Sequence, residues 1–174
     1  TVAPQDAIVP GSVDIIIPVY NALPDLIRCI GSLRKFPSAA FRRLILVDDC
    51  SEAETAAWLR QYAQDHDDVI LTRNAENLGF TRTVMAGVAE SEAPFAVFLN
   101  SDTVVTEGWL DGLLVTMASR PNAALVGPFS NDGFYQTIQP GTAPDAAKPF
   151  SRLLSDADLA ANRVREVSRR LSPP

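Results

Sequence analysis

The sequence predicts an α/β domain whose mainly parallel sheet carries helices on both faces. Five short apolar runs alternate with segments of helical periodicity, and this alternation is typical of βαβ units. The runs are continuously apolar, as in strands that are buried on both faces. The 174 residues, 47% of them hydrophobic, can supply one domain with a full core. The five runs are residues 13–19, 44–47, 69–72, 95–99 and 124–126.

Helix signals fill the intervals between these runs. Pro24 suits the first turn of the helix that follows the first run. Ser51 and Glu54 have the spacing of a capping box, so we expect them to cap the second helix. After the fifth run, the composition predicts a long loop over residues 129–150 and a last helix over residues 155–170.

Charge and composition exclude several classes of partner and site. Lys and Arg number 15 and Asp and Glu 21, so the net charge of -6 is a poor match for nucleic acid. No apolar run approaches ~18 residues, so no transmembrane segment is predicted. Cys29 and Cys50 form neither a disulfide framework nor a zinc site, and are expected to be reduced thiols of a cytosolic protein. His66 lies in a polar stretch that predicts a solvated turn, so histidine-based chemistry is not expected.

Polar clusters follow three of the predicted strands, at residues 18–21, 48–51 and 100–103. Ligands of open parallel sheets bind beyond the carboxyl ends of the strands, so these clusters predict a crevice. The chain has neither a G-x-G-x-x-G fingerprint nor a P-loop, and phosphate binding must therefore take another form. Each cluster also has a purely structural interpretation. The three interpretations are a turn with a helix cap, acids favoured by a helix dipole, and a strand-end turn with Asx bonds.

The third cluster carries the sharpest chemical signal. Asn100, Ser101 and Asp102 directly follow an apolar strand. A carboxylate at such a strand end suits Mg²⁺ or Mn²⁺, which takes one or two protein oxygens and completes its shell with substrate phosphate and water. Such a cation would also offset the repulsion between an acidic domain and an anionic substrate.

In order and spacing, these motifs resemble the inverting family 2 glycosyltransferases of the GT-A fold, and among them the rhamnosyltransferase-like bacterial members. The resemblance spans about residues 13–140 and implies a Rossmann-like GT-A domain. It is carried by the first strand and turn, the two acids after the second strand, and the cluster that occupies the place of the family's D-x-D motif. The matching segments are residues 13–21, 46–51, 74–80, 98–103, 127–131 and 135–137.

The resemblance implies a role for individual residues. Pro18, Val19 and Tyr20 would line the nucleoside pocket, and Asp49 would hydrogen-bond the base. The remaining implied contacts fall on the loop before the third helix and on the D-x-D cluster. Asn77 and Gly79 would lie near the ribose or phosphates, Asn100 and Ser101 would complete the donor site, and Asp102 would hold the Mn²⁺ or Mg²⁺ that bridges the diphosphate.

The chain departs from the family pattern at two points. Asn100 replaces the first carboxylate of the D-x-D motif, which makes the site one negative charge weaker. Nothing after residue 141 resembles the segment that carries the family's catalytic base, so we expect that base to lie outside this chain. The acids in that region are interpreted as solvated surface and helix caps: Asp145, Asp156, Asp158 and Glu166.

The resemblance also sets the expected domain organisation and setting. Residues 1–12 form an N-terminal arm or linker, residues 13–140 the nucleotide-sugar-binding domain, and residues 141–174 a loop and C-terminal helix. Thr1 is not a methionine and the chain ends in two prolines, so we expect a piece of a longer protein that stops before the acceptor half. The parent protein would use a UDP- or dTDP-sugar and a glycan or lipid-linked acceptor in the cytoplasm, at the inner face of the membrane, in bacterial cell-envelope polysaccharide synthesis.

Three other classes of protein fit parts of the pattern. A haloacid-dehalogenase-like phosphatase has a similar motif after a strand, but it needs an aspartate nucleophile where this chain has Asn100. A nucleotidyltransferase would carry a Gly-rich basic loop after the first strand, and none is present. A degenerate, non-catalytic GT-A-like binding or interaction module would explain the missing base as well as truncation does.

Overall fold

A computed structural model of the chain describes residues 4–120 and 122–128. Its described part begins with a short 3-10 helix at Pro4–Ala7, inside the segment expected to be an arm. Four parallel strands then alternate with four helices. The strands are β1 (Val13–Val19), β2 (Phe41–Asp48), β3 (Val69–Arg73) and β4 (Phe95–Phe98), and the helices are α1 (Leu23–Lys35), α2 (Ala53–Gln64), α3 (Phe80–Glu90) and α4 (Trp109–Ala118).

The sheet has the strand order β3-β2-β1-β4, and every pair of neighbours is parallel. β1 is central and nearly all of its residues are buried, as its continuous apolar composition predicts. The register aligns Val19 with Asp48 and Ile16 with Phe98. The carboxyl ends of the strands therefore meet along one edge of the sheet.

Successive side chains of the strands point to opposite faces, and each face is covered by helices. Ile15 and Ile17 pack in a buried cluster with Leu26 of α1 and Leu59 of α2. Ile16 packs on the other face, against α3. The predicted fold class, an α/β domain with helices on both faces of a parallel sheet, is confirmed.

The predicted fifth strand at residues 124–126 is wrong, since this segment is not a strand. Leu125 exposes 83% of its surface, and the Ala123 N–H is bonded locally to the Arg120 carbonyl. A strand needs a hydrogen-bonded neighbour, and β4 pairs only with β1 in the described part of the chain. Three apolar residues before Gly127 and Pro128 are too short a run to indicate pairing by themselves.

The predicted capping box is also wrong. α2 begins after Glu52, and no side chain caps its first turn. The Ser51 hydroxyl accepts a hydrogen bond from the Asn21 N–H instead, because that turn lies beside it in the folded chain. Pro24 does occupy the first turn of α1, as predicted. The loop and last helix predicted after residue 128 lie outside the described residues.

Within the described residues, no helix combines the length and apolar character that crossing a bilayer requires.

Gly87 lets α3 approach the sheet closely. A Cβ atom at this position would lie 2.4 Å from Ile16 Cγ2 and 3.0 Å from Val47 Cγ2. We therefore expect Gly87→Ala to lower the free energy of unfolding by about 1–3 kcal/mol, the usual cost of overpacking. Chemical denaturation measures this change.

Gly31 of α1 provides the matched control, because a Cβ atom there meets nothing within 4 Å. Gly31→Ala should be neutral or should stabilise the protein by up to about 1 kcal/mol, from helix propensity alone. Equal effects of the two substitutions would show that α3 does not depend on close contact at Gly87.

Candidate functional site

The loops that follow β1, β2, β3 and β4 lie side by side at the carboxyl edge of the sheet. Backbone hydrogen bonds link them in pairs. The Asp49 N–H donates to the Val19 carbonyl at 2.8 Å, and the Asn74 N–H donates to the Asp48 carbonyl at 2.8 Å. The clusters at residues 18–21 and 48–51 therefore lie together with the loop after β3. The Leu99 N–H, which donates to the Ile16 carbonyl at 3.0 Å, brings the cluster at residues 100–103 to the same edge.

The loops after β1 and β2 are clasped to each other. The Asn21 N–H donates to Ser51 Oγ at 2.9 Å, and the Glu52 N–H donates to Asn21 Oδ1 at 2.8 Å. Tyr20 directly precedes Asn21 in the loop after β1, and 54% of its surface is exposed. Val19, by contrast, is fully buried in the core, so only its backbone faces the crevice. Pro18 is partly exposed.

Asp48 is buried and organises its own loop. One carboxylate oxygen accepts the Ser51 N–H at 2.8 Å, and the other accepts the Arg73 guanidinium. Arg73 also donates to the Ser51 carbonyl at 2.9 Å. The arginine therefore balances the buried charge and ties the end of β3 to the loop after β2.

Asp49 is 4% exposed and clasps the loop that leads into α3. Its Oδ1 accepts Asn74 Nδ2 at 2.8 Å and the Leu78 N–H at 2.9 Å, while its Oδ2 accepts the Gly79 N–H at 2.9 Å. Burial acts to raise the pKa of Asp49, but hydrogen bonds from Asn74, Leu78, Thr83 and Gly79 outweigh it and hold that pKa below its ordinary value. Asp49 is therefore an ionised structural anchor at the floor of the crevice.

The loop anchored by Asp49 presents Asn77 at the surface. Asn77 is exposed, and its Oδ1 accepts the Gly79 N–H at 3.1 Å. Gly79 has a φ of 78°, a left-handed conformation that favours glycine, and it immediately precedes α3. Asn77 and the first turn of α3 thus face the same edge as Tyr20 and the β4 loop.

Asp102 differs from the other two acids because its side chain is exposed. Within the described residues it makes no hydrogen bond or ion pair, so its carboxylate is free to bind a ligand. Asn100 is also exposed and Ser101 is partly so, and the Thr103 N–H closes the turn on the Asn100 carbonyl at 3.1 Å.

This donor set fits a hard divalent cation that is shared with a substrate. The described residues contain no group of three or more His, Cys, Asp or Glu side chains that would hold a metal alone. Mg²⁺ and Mn²⁺ need only one or two protein oxygens when phosphate and water complete the shell. One free carboxylate at the strand end meets that need.

Sequence reasoning missed the residues that hold these loops in place. Arg73 is the last residue of β3 and Asn74 follows it, so the rule that pointed to the other three strand ends would have found them. Cys29 and Ser32 lie on α1, and no local sequence signal connects them to the loop after β4.

Cys50 is strained, because it adopts a φ of 62° without being glycine. We expect Cys50→Gly to raise the free energy of unfolding by about 0.5–1 kcal/mol, since relief of the left-handed conformation exceeds the entropic cost of glycine. Cys50→Ala keeps the strain and should change stability by less than about 0.5 kcal/mol. A glycine variant that is no more stable than the alanine variant in urea unfolding would contradict this account.

Open parallel α/β sheets bind their ligands at the carboxyl edge, where this chain has its polar loops and the exposed carboxylate of Asp102. The chain belongs to glycosyl transferase family 2, whose family model matches residues 14–162.

Comparisons with individual proteins agree with this assignment. The chain is 34% identical over 116 residues to polypeptide N-acetylgalactosaminyltransferase 11 of Xenopus tropicalis, covering 64% of this chain and 19% of that protein. It is 31% identical over 116 residues to the pre-mycofactocin glycosyltransferase of Mycobacterium tuberculosis, covering 67% and 23%. The chain thus spans about a fifth of the length of these relatives.

A solved structure shares the fold. The mannosyltransferase PcManGT from Pyrobaculum calidifontis, in complex with GDP-Man and Mn²⁺, superposes with a TM-score of 0.58. The two sequences are 19% identical, and the match covers 66% of this chain and 34% of that one. At this identity the likeness confirms the GT-A fold of the described domain and nothing finer.

Proposed function

We propose that this chain is the donor-binding domain of an inverting glycosyltransferase and that it binds a nucleoside-diphosphate sugar together with Mn²⁺ or Mg²⁺. The observation that carries the proposal is the exposed carboxylate of Asp102, which makes no hydrogen bond or ion pair within the described residues, at an edge where Asp48 and Asp49 are committed to internal bonds. Family membership and the GDP-Man and Mn²⁺ of the structural neighbour support it.

Each side of the crevice would bind a different part of the donor. Tyr20 offers an exposed ring on which a base can stack, with Pro18 beside it and the backbone of Val19 beneath. Asp49 would contact the base by sharing one of the oxygens that now accept loop N–H groups. Asn77 and Gly79 would face the ribose or phosphates. Asn100, Ser101 and Asp102 would bind the diphosphate side.

The chemistry proposed for the whole protein is displacement at the anomeric carbon. An acceptor hydroxyl loses its proton to a base and forms the new glycosidic bond, while the bond to the nucleoside diphosphate breaks. A bound divalent cation supplies positive charge that stabilises the leaving diphosphate. Asp102 would bind that cation. The first turn of α3 directs backbone N–H groups toward the same edge.

We place the catalytic base outside this chain, in a segment that also binds the glycan or lipid-linked acceptor. The acids considered for that role after residue 141 lie outside the described residues. The proposed setting is the cytoplasm at the inner face of the membrane, in cell-envelope polysaccharide synthesis.

Thermal unfolding with a panel of UDP, dTDP and GDP, each with and without Mn²⁺, tests the proposal. A ligand at about 100 times its Kd adds about 2.7 kcal/mol of stability. For a chain of this size, that is a rise in Tm of roughly 5–10 °C. A rise that requires Mn²⁺ supports the proposal and identifies the base, whereas no rise with any of the three nucleotides would contradict donor binding by this chain.

A further inference from the structure

α1 makes side-chain contacts with both ends of the loop that carries Asp102. The buried thiol of Cys29 donates to the Asn100 carbonyl at 3.5 Å. The backbone N–H of Thr103 hydrogen-bonds the same thiol. One side chain of α1 therefore contacts the two residues that flank Ser101 and Asp102.

Ser32 makes the second contact, one helical turn further along the same face of α1. Its hydroxyl donates to the Cys29 carbonyl at 2.7 Å and accepts the Val105 N–H at 3.0 Å. Both roles of the hydroxyl are thus filled, and the bonds are buried. Leu99 and Val105, which lie on either side of residues 100–103, pack in the same core cluster as Cys29.

The loop is consequently fixed at both ends and open in its middle, where the carboxylate of Asp102 lies. Burial, together with the charge of Asp102, raises the pKa of the Cys29 thiol to about 12, although the Thr103 N–H acts in the opposite direction. The thiol is therefore neutral near pH 7 and can act as a hydrogen-bond donor. Asp48 and Asp49 need no such support, since Asp48 bonds directly to the loop after β2 and Asp49 to the loop after β3.

We infer that Cys29 and Ser32 are positioning residues that hold the Asp102 carboxylate where a cation bound to a diphosphate must find it. The inference rests on the proposed function. Its physical basis is that a metal ligand must be held to within about 0.5 Å by groups that do not touch the metal. The contacts span 71 and 73 residues of sequence, so they join α1 to the loop only in the folded chain.

Metal-dependent binding separates positioning from general stability. We would titrate the 174-residue chain with UDP, with dTDP and with GDP, in Mn²⁺ and in EDTA, and follow bound Mn²⁺ by electron paramagnetic resonance. Ser32→Ala and Cys29→Ala should weaken Mn²⁺-dependent nucleotide binding about 10-fold, the lower end of the loss expected when a group that supports a metal ligand is removed. Binding in EDTA, which relies on the other loops, should change by less than about twofold.

Three further variants serve as controls. Ser32→Thr and Cys29→Ser retain a donor and acceptor at each position and should keep most of the Mn²⁺-dependent affinity. Ile30→Val, a buried change on the same helix, should leave it unaltered. These variants also cover the case in which an alanine variant fails to fold. A Cys29→Ser chain that folds and binds Mn²⁺ like wild type supports the inference, because it keeps the hydrogen bonds that the thiol makes.

The outcomes distinguish the inference from the proposed function. Wild-type chain that shows no Mn²⁺-dependent binding of UDP, dTDP or GDP overturns both. If wild type binds and the alanine variants bind equally well, or lose affinity to the same extent in Mn²⁺ and in EDTA, the positioning role is overturned and the proposed function stands.

Discussion

Asp102→Ala is expected to abolish the Mn²⁺-dependent part of nucleoside-diphosphate binding and to leave the fold intact. The carboxylate is exposed and makes no hydrogen bond within the described residues, so its removal should change the free energy of unfolding by no more than about 0.5 kcal/mol. Of Asp48, Asp49 and Asp102, it is the one whose carboxylate makes no internal bond within the described residues. Loss of groups that merely support a metal ligand costs 10- to 100-fold in affinity, and loss of the ligand itself should cost about 100-fold or more. Calorimetric titration of the nucleotide in Mn²⁺ measures this loss.

Asp67→Ala is the matched control for this result. Asp67 is exposed, and its substitution by alanine removes the same charge. It precedes β3, however, and so lies at the opposite edge of the sheet. Its substitution should leave Mn²⁺-dependent binding within about twofold of wild type, since charges farther apart than a Debye length of about 8 Å are screened. Equal losses in both variants would mean that net charge controls binding, and an unchanged Asp102→Ala variant would remove Asp102 from the metal site.

The sequence predicted those parts of the fold in which burial determines the residue type. β1 and β2 read as strands because both of their faces are covered, so that Ile15, Ile16 and Ile45 had to be apolar. The segment at residues 124–126 has the same chemistry without a partner strand in the described part of the chain. Periodicity reports local composition and cannot say which runs pair.

The sequence predicted where the candidate site lies, but not which of its acids are structural and which is exposed. Asp48, Asp49 and Asp102 all follow predicted strands and look equivalent as acids at a crevice. In the folded chain Asp48 and Asp49 are 1% and 4% exposed and their carboxylates make internal hydrogen bonds, while Asp102 is exposed. The burial of each acid depends on how closely the neighbouring loops and α3 approach it. Those distances arise from the tertiary structure and cannot be obtained from a single sequence.

The same limit explains Ser51 and Ser32. Ser51 has the spacing of a capping residue, yet Asn21, 30 residues away, takes its hydroxyl. Ser32 stands in an amphipathic helix as an ordinary small residue, and its partner Val105 is 73 residues away. Serine hydroxyls bond whatever backbone group the tertiary structure brings near, so their local signals are the first to be overridden.

Asp49→Ala should be the most destabilising change in the crevice. It removes the acceptor of the Leu78 N–H, and it leaves Asn74 Nδ2 and the Gly79 N–H with only their second acceptors, Thr83 Oγ1 and Asn77 Oδ1. A hydrogen bond to a charged group contributes about 1.5–3 kcal/mol, and water can reach only part of this loop after the substitution. We expect the free energy of unfolding to fall by about 3 kcal/mol, which corresponds to roughly 6–12 °C in Tm. Asn74→Ala removes one donor and keeps the carboxylate, so it should cost about 1 kcal/mol.

The pH dependence identifies the ionised carboxylate as the source of this stability. The pKa of Asp49 is lower in the folded protein than its ordinary value of 3.8, so its contribution is complete above that value and is lost as the pH falls through the folded pKa. Asp49→Asn has no such titration. The stability difference between wild type and this variant should therefore be constant from about pH 7 to 5 and should shrink below about pH 4. The Asp68 carboxyl, whose pKa Arg34 also lowers, is present in both proteins and cancels. A difference that persisted undiminished to about pH 2 would show that Asp49 anchors the loop by shape and packing, and not by its charge.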